Sequence, residues 1–448
     1  MDFNNLTNTN NSAYAGRTDV AELVRRSNSA YGQYSQVTMS SRKGVINNIR
    51  QKMMPLVNRL AGMEMRETDM GNINDKIVKL MLAIQNTPGI EDLTTEVTTG
   101  DNGMTLYEYS SYGCICSLTP STNPCATIIC NAIGMLAAGN SVIFIPHPRC
   151  VESSALTVKC IDDAVFEICG IRDLVMSVKN VDKEVTNEVM NHPDVSMIVA
   201  TGSEDKTDNA LYSAKRVIAA STGNPVAIID ESADMEKAAK DIVEGATFDN
   251  GLLCLAENNL VAVNPAADGL IDALQRRDAY YTNDVDEIMR LTQATVTADL
   301  TAKRIMIGKT ADEILKVSGI SPGRHVSLIV ADTFKTHPFA TCQMLMPLVP
   351  MIRTPNFETA LETAYYIEQG YKHSAYIHSQ SIVHLDEAAN RMRTSVFIKN
   401  GSSLVALGLQ GDGNTSFTIA NRTGEGATTA RDFARRRKCT LTSGFHIR

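Results

Sequence analysis

A regular alternation of strand and helix patterns runs through the middle of the chain, from residue 114 to residue 230. Short apolar runs such as Ser141–Ile145 predict buried strands. Longer stretches with apolar residues at helical spacing, such as Val151–Cys169, predict the helices between them. Parallel strands need crossover connections of this kind. The alternation therefore predicts an α/β fold, with a mostly parallel sheet covered by helices on both faces.

Patterns on either side of this region extend the prediction. Residues 1–17 are rich in Asn, Thr and Ser and predict a disordered N-terminus. Residues 19–88 predict helices that each carry one apolar stripe. After residue 258 the strand and helix patterns return with looser spacing, and they predict a second α/β lobe. Residues 439–448 alternate like an edge strand.

Composition excludes several classes of protein. The net charge of −8 argues against a nucleic-acid partner, and the one basic run, residues 435–438, suits a solvated face or an inter-subunit contact. The ten cysteines form no C-x-x-C pair and meet no His pair at zinc spacing, so no metal site is expected. No apolar run is long enough to span a bilayer, and the N-terminus lacks the order of a secretory signal. We therefore expect a cytosolic protein with reduced thiols and no membrane partner.

Cys254 occupies a sharp transition between two patterns. A helical pattern over residues 233–246 precedes it, and the strand pattern Asn259–Val263 follows it. A turn between a helix and a strand can present a thiol to a cleft and leave the backbone N–H free to face an oxyanion. A buried, unreactive cysteine is the simpler interpretation, because free cysteines are among the most buried residues. The spacing alone does not decide between the two.

Three strand-to-helix loops offer polar groups at one rim of the predicted sheet. The first holds Thr122 and Asn123, which suit either helix N-caps or donors to an oxyanion. The second holds His147, and the third holds Gly202 and Ser203 at a helix N-terminus that suits a phosphate. Ligands of parallel sheets bind outside the carboxyl ends of the strands, so these loops predict a ligand site. No Gly-x-Gly-x-x-Gly follows the first strand.

The order of these loops and Cys254 resembles the aldehyde dehydrogenase superfamily. The resemblance is closest to its coenzyme A-acylating branch, the propionaldehyde and acetaldehyde dehydrogenases of propanediol- and ethanolamine-type bacterial microcompartments. It spans residues 18–448. The matching segments are residues 120–124, 135–140, 147–148, 254–257, 423–426, 434–439 and 444–448.

The resemblance implies an architecture. A Rossmann-like NAD-binding domain would comprise residues 18–104 and 119–229, and an α/β catalytic domain residues 230–436. A small β oligomerisation flap, residues 105–118 and 437–448, would join subunits into a homodimer or homotetramer. The location would be cytoplasmic, either free or among microcompartment proteins, although residues 1–16 lack the apolar periodicity of a targeting helix.

The resemblance also implies a reaction and its residues. NAD is the cofactor, coenzyme A is the co-substrate, and a short-chain aldehyde is oxidised to an acyl-CoA through a thioester on Cys254. Asn123 or Thr122 would stabilise the oxyanion. The cofactor would contact Pro120, Ser121, His147, Pro148, Gly202, Ser203, Thr222, Gly223 and Gln343.

A missing carboxylate distinguishes thioester transfer from hydrolysis. Hydrolytic relatives activate water with a Glu in the loop equivalent to residues 220–225, and that loop holds no carboxylate here. A thiol acceptor brings its own nucleophile, so the loop favours the acylating reaction. A hydrolytic enzyme and a weakened or inactive paralogue with a role in assembly remain the alternatives.

Departures from the branch pattern motivate the second alternative. Glu204 and Asp205 replace the Pro and Gly of a Thr-Gly-Gly-Pro-Gly loop, and Gln343 replaces a Glu. Residues 401–405 lack an expected Pro and aromatic residue. Glu204 and Asp205 would either repel a dinucleotide, if they face the cleft, or only favour the helix dipole. We expect repulsion and weakened NAD binding.

Overall fold

The computed structural model describes residues 18–444, so the predicted disorder of residues 1–17 lies outside the described residues. The helices in this range are α1 (Val20–Tyr34), α2 (Met39–Met53), α3 (Val57–Thr68), α4 (Ile73–Asn86), α5 (Pro124–Ala137), α6 (Val151–Cys169), α7 (Lys183–Asn191), α8 (Glu204–Leu211), α9 (Met235–Thr247), α10 (Asn264–Gln275), α11 (Val285–Thr295), α12 (Ala311–Val317), α13 (Pro338–Thr341), α14 (Phe357–Glu368) and α15 (Ile382–Met392).

The strands in the same range are β1 (Glu96–Gly100), β2 (Gly103–Ser111), β3 (Cys114–Leu118), β4 (Ser141–Ile145), β5 (Val175–Ser177), β6 (Met197–Thr201), β7 (Arg216–Ala220), β8 (Val226–Ile229), β9 (Asn259–Val263), β10 (Ala279–Thr282), β11 (Leu328–Thr333), β12 (Leu348–Thr354), β13 (Ser374–His378), β14 (Val396–Lys399) and β15 (Ala434–Thr442). No helix in the described part of the chain is both long and apolar enough to cross a membrane.

A five-stranded parallel sheet forms the first lobe, in the order β5-β4-β3-β6-β7. Neighbouring residues of β3 point to opposite faces, so Ile115 belongs to a core shared with α2, α5 and α6, while Cys116 belongs to a core shared with α1 and α7. Because both faces are covered, β3 is buried along its whole length. The predicted α/β layering is confirmed.

A seven-stranded parallel sheet forms the second lobe, in the order β10-β11-β12-β9-β8-β13-β14. The sequence patterns missed β10, which has only four residues, and β12, which contains Pro350. Proline gives up a ladder hydrogen bond and weakens a strand pattern. The predicted domain boundary at residue 230 also needs correction, because β8 pairs with β9 and β13 of this second sheet. The change of sheet falls before Val226.

A three-stranded antiparallel sheet, β1-β2-β15, stands apart from both lobes. The sequence predicted a flap from residues 105–118 and the C-terminal strand, and β2 does pair with β15. However, β3 lies at the centre of the first parallel sheet, and β1, which was placed in the first domain, belongs to the flap. Gly113, at φ 126°, lets the chain leave β2 and start β3 in another sheet.

Candidate active site

A cleft of about 360 Å³ lies at the carboxyl edge of the five-stranded sheet. The loops after β3 and β6 form part of its wall, and these neighbouring strands stand where the strand order reverses. The volume falls within the usual range of ligand sites. The predicted residues that line it are Pro120, Ser121, Thr122, Asn123, His147, Gly202, Ser203, Thr222, Cys254 and Gln343.

The turn that carries Cys254 depends on a run of left-handed backbone conformations. Helix α9 ends at Thr247, and Asp249, Asn250 and Gly251 follow with φ values of 50°, 54° and 71°. A Cβ on Gly251 would lie 2.8 Å from the carbonyl carbon of Met346, so the backbone passes where only glycine fits. This reversal brings Cys254 to the cleft, where it is half-buried.

Side chains from the second lobe hold the loop after the turn. The Tyr376 hydroxyl donates to the carbonyl of Leu255. Gln343 Nε2 donates to the carbonyl of Cys254 over 3.3 Å. Glu257 is buried and accepts hydrogen bonds from the N–H and the hydroxyl of Ser403, each at 2.8 Å. The loop is therefore fixed on the C-terminal side of the thiol.

The Cys254 thiol is protonated in the resting protein. Burial raises its pKa to about 11, while the backbone N–H groups of Cys254 and Leu255 act in the opposite direction. These N–H groups favour negative charge at the sulfur. The geometry suits a nucleophile whose reactive form is a minor species at neutral pH.

Asn123 presents an amide to the cleft rather than capping a helix. It precedes α5, yet its side chain makes no capping hydrogen bond. Instead Oδ1 accepts from Lys79 Nζ at 2.6 Å, and Nδ2 donates to Thr122 Oγ1 at 3.2 Å. The N-cap interpretation of Asn123 is therefore wrong, and its N–H donors lie on the side away from Lys79.

Two predicted cofactor contacts lie away from the cleft. Pro148 begins a short 3-10 helix, Pro148–Cys150, and is exposed beside a separate depression. A Cβ on Gly223 would lie 2.2 Å from the ring of the buried His373. The glycine at 223 is thus required by packing against an imidazole, and neither residue lines the cleft.

Several cleft residues were missed by the sequence analysis. Arg149 and Arg304 bring positive charge to the wall. Arg149 directly follows the predicted His147 and Pro148, so a basic residue at that loop was a readable signal, whereas Arg304 belongs to no recognised motif. An apolar part of the wall was also missed, formed by Met70, Leu252, Ile307, Leu345, Phe417 and Ile419.

Negative charge is absent from the wall of the cleft, since no Asp or Glu lines it among the described residues. Glu204 and Asp205 are exposed in the first turn of α8, and Glu204 Oε1 lies 3.8 Å from Arg422 Nη1. The expected repulsion required these carboxylates to face the cleft. They do not line it, so the structure favours the helix-dipole interpretation over repulsion of the dinucleotide.

One cluster outside the cleft has the residue types of a metal site. Ligand atoms of Asp230, Glu231 and His384 lie within 4.8 Å of one another. Asp230 already accepts from Ser232, Ser379 and His384, whose Nδ1 is 2.6 Å away. The Asp230 carboxylate therefore links the ends of β8 and β13 by hydrogen bonds, and we assign no metal to it.

Known proteins are similar to this chain over most of its length. A model of the aldehyde dehydrogenase family matches residues 5–414. The chain is 42% identical over 430 residues to a propanal dehydrogenase (CoA-propanoylating) of Citrobacter freundii, covering 96% of this chain and 93% of that protein. The chain belongs to the aldehyde dehydrogenase family.

Solved structures place it near the CoA-acylating members of that family. A propionaldehyde dehydrogenase of Rhodopseudomonas palustris, with bound coenzyme A and an acylated cysteine, matches with a TM-score of 0.93 and 40% identity, over 96% of this chain and 98% of that one. One from the Clostridium phytofermentans fucose utilisation bacterial microcompartment matches with a TM-score of 0.93 and 37% identity, over 96% and 99%.

The cleft fits the dinucleotide that aldehyde dehydrogenases use. Gly202 has a φ of 150°, and a Cβ placed there would meet no atom within 4 Å, so open space adjoins the backbone at the N-terminus of α8. Phosphates favour such helix ends. Arg149 and Arg304 add positive charge, and no carboxylate opposes it among the described lining residues.

Proposed function

We propose that this protein oxidises a short-chain aldehyde to an acyl-CoA through a thioester on Cys254, with NAD as the cofactor and coenzyme A as the co-substrate. One observation carries the proposal. The described wall of the cleft combines a thiol with backbone and amide N–H donors, and it offers no carboxylate to activate water.

The reaction begins at Cys254. The thiol gives its proton to solvent, its sulfur forms a bond to the carbonyl carbon of the aldehyde, and the C=O π electrons move to the carbonyl oxygen as negative charge. The Asn123 amide and the Cys254 N–H stabilise that oxygen. Removing one donor of such a site typically costs about 10²–10³-fold in rate.

The cofactor side of the cleft comprises Gly202, Ser203, Thr222, His147 and Arg149. NAD held by these residues would supply the acceptor for the hydride that leaves the adduct carbon. The chain's own contribution is to hold the thiol and the amide donors in place, with the thiol held by the anchored loop after Cys254. Loss of the hydride leaves an acyl group on the sulfur.

Coenzyme A then takes the acyl group. Its thiol attacks the thioester carbon, the same oxyanion donors serve again, and Cys254 leaves as a thiolate. Water is a poor competitor because the loop of residues 220–225 lacks a carboxylate and Ala220, Ser221 and Thr222 form its cleft face. The hydrolytic alternative has no support from this cleft.

The apolar part of the wall suits a short alkyl aldehyde. Leu252 adjoins the Cys254 turn, and Phe417 and Ile419 line the same cleft. Residues 401–405 lack the aromatic residue expected there, and Phe417 brings an aromatic ring to the wall of the cleft instead. The names of the relatives, which act on propanal, agree with a substrate of this size.

The assembly we propose is a homodimer or homotetramer joined through the flap. Among the described residues, the outer strands of the three-stranded sheet, β1 and β15, each keep an edge that pairs with no other strand. A cytoplasmic location is proposed, and association with a microcompartment is supported by one structural relative's origin. Light scattering of the purified protein would measure the mass of the assembly.

Product analysis with a Cys254 variant tests the function. Wild type with propanal, NAD and coenzyme A should give propanoyl-CoA and NADH in equal amounts. Cys254→Ala should give neither above about one per cent of wild type, while it folds and binds NAD normally. Acyl-CoA formation by the Cys254→Ala variant would overturn the role of the thiol.

A further inference from the structure

Two lysines of α4 are buried beneath the active-site turn. The side chains of Lys76 and Lys79 are each about 1% exposed. Both contact Asp249 Oδ2, Lys76 at 3.1 Å and Lys79 at shorter range. Buried charges persist when paired and hydrogen-bonded. Asp249 belongs to the left-handed turn that precedes Cys254.

Lys79 differs from Lys76 in what else it contacts. Its ammonium has three N–H donors and meets three acceptors: Asp249 Oδ2, Asn123 Oδ1 at 2.6 Å and the Thr122 carbonyl at 3.4 Å. Among the described residues, Lys76 makes no hydrogen bond to Thr122 or Asn123 and pairs with Asp249. Lys79 therefore links both sides of the reacting centre, the loop after β3 and the Cys254 turn.

The contact with Asn123 fixes which end of the amide meets the cleft. A carboxamide has an acceptor end and a donor end, and only the donor end stabilises an oxyanion. An ammonium donates only, so it holds Oδ1 and leaves Nδ2 on the opposite side. Without Lys79, the amide could turn over and present oxygen to the developing negative charge.

We propose that Lys79 is a positioning residue for the oxyanion site, which orients the Asn123 amide and ties it to the Cys254 turn through Asp249. The inference rests on the proposed function, since it assigns Asn123 as an oxyanion donor. It adds a buried residue from outside the cleft, in the helical N-terminal region, to the residues that control the rate.

A double-mutant cycle with a matched control tests this role. Lys79→Met should lower kcat about 10- to 100-fold with the KM for NAD unchanged, and Asn123→Ala should lower it about 10²–10³-fold. The kcat of the double variant should lie within about threefold of the kcat of Asn123→Ala, because Lys79 acts through that amide. Lys76→Met removes the other ammonium from Asp249 and should keep kcat within about threefold of wild type.

Stability measurements separate positioning from folding. Both lysine variants should lose thermal stability, but only Lys79→Met should lose turnover. Should Lys79→Met not fold, the cycle uses Lys79→Gln, whose amide keeps a donor near Oδ1; it should retain more kcat than Asn123→Ala and still be non-additive with it. The inference would be overturned if the kcat losses of Lys79→Met and Asn123→Ala multiplied in the double variant. It would also be overturned if Lys76→Met lost as much kcat as Lys79→Met. Wild type that forms no acyl-CoA would instead refute the proposed function.

Discussion

At the scale of single residues, the position of the Cys254 thiol disfavours its ionisation. Burial opposes the thiolate of Cys254, and the N–H groups of Cys254 and Leu255 compensate only in part. A protonated thiol is protected from oxidants and electrophiles before substrate enters. At neutral pH the thiolate of Cys254 is therefore the minor form.

The pH dependence of alkylation follows from that ionisation. Because the pKa of Cys254 is raised to about 11, the thiolate fraction should rise about tenfold per pH unit between pH 7 and pH 10. Iodoacetamide labelling of the Cys254 peptide, followed by mass spectrometry, measures the rate, with the exposed Cys439 as an internal control. A labelling rate that levels off below pH 8 would contradict the buried environment.

A second residue-scale prediction concerns the carboxylates of α8. Glu204 and Asp205 are exposed and lie outside the cleft, so replacing them should not affect dinucleotide binding. The double variant Glu204→Pro with Asp205→Gly should bind NAD with a Kd within about twofold of wild type, measured by calorimetry at low and high salt. Tightening by about tenfold, ~1.4 kcal/mol, would show that they do repel the cofactor.

At the scale of elements, the short turns decide where the chemistry lies. The regular strands and helices of both lobes were readable from apolar periodicity, and the Cys254 turn followed from the change of pattern on its two sides. What sequence could not show was long-range contact. Lys79 reaches Asn123 across 44 residues of chain, and a glycine is needed at position 223 because the His373 ring packs against it. No local sequence pattern reveals either contact.

The sheets show the same limit. The residues of β8 read as one more strand of the first lobe, and only pairing with β9 and β13 assigns them to the second. Residues 105–118 were predicted to form one part of the flap, whereas Gly113 separates a flap strand from a core strand within them. Pairing is decided by tertiary contacts that a single sequence does not contain.

At the scale of the whole molecule, a buried carboxyl joins the active-site loop to the C-terminal part of the second lobe. Burial raises the pKa of Glu257 to about 8, against hydrogen bonds from Ser403. Its folded-state pKa lies above its ordinary value, so between roughly pH 4.5 and pH 8 the folded protein holds a proton that the unfolded chain has released. Its contribution to stability is therefore lost as pH rises through this window.

The variant Glu257→Gln removes that proton linkage. Its free energy of unfolding should fall less between pH 5 and pH 8 than that of wild type, by at most about 1.4 kcal/mol per pH unit. Urea denaturation at several pH values measures both slopes. Parallel slopes for the two proteins would mean that Glu257 does not hold a proton in the folded state.

The most direct test of the acylating account is a stopped-flow record of NADH formation without coenzyme A. Cys254 should take one acyl group and then stop, because the described wall of the cleft holds no carboxylate to activate water. We predict a burst of one NADH per active site, a negligible steady rate, an acyl adduct on the Cys254 peptide, and immediate turnover when coenzyme A is added. Steady NADH formation with release of the free acid, in the absence of coenzyme A, would contradict the account.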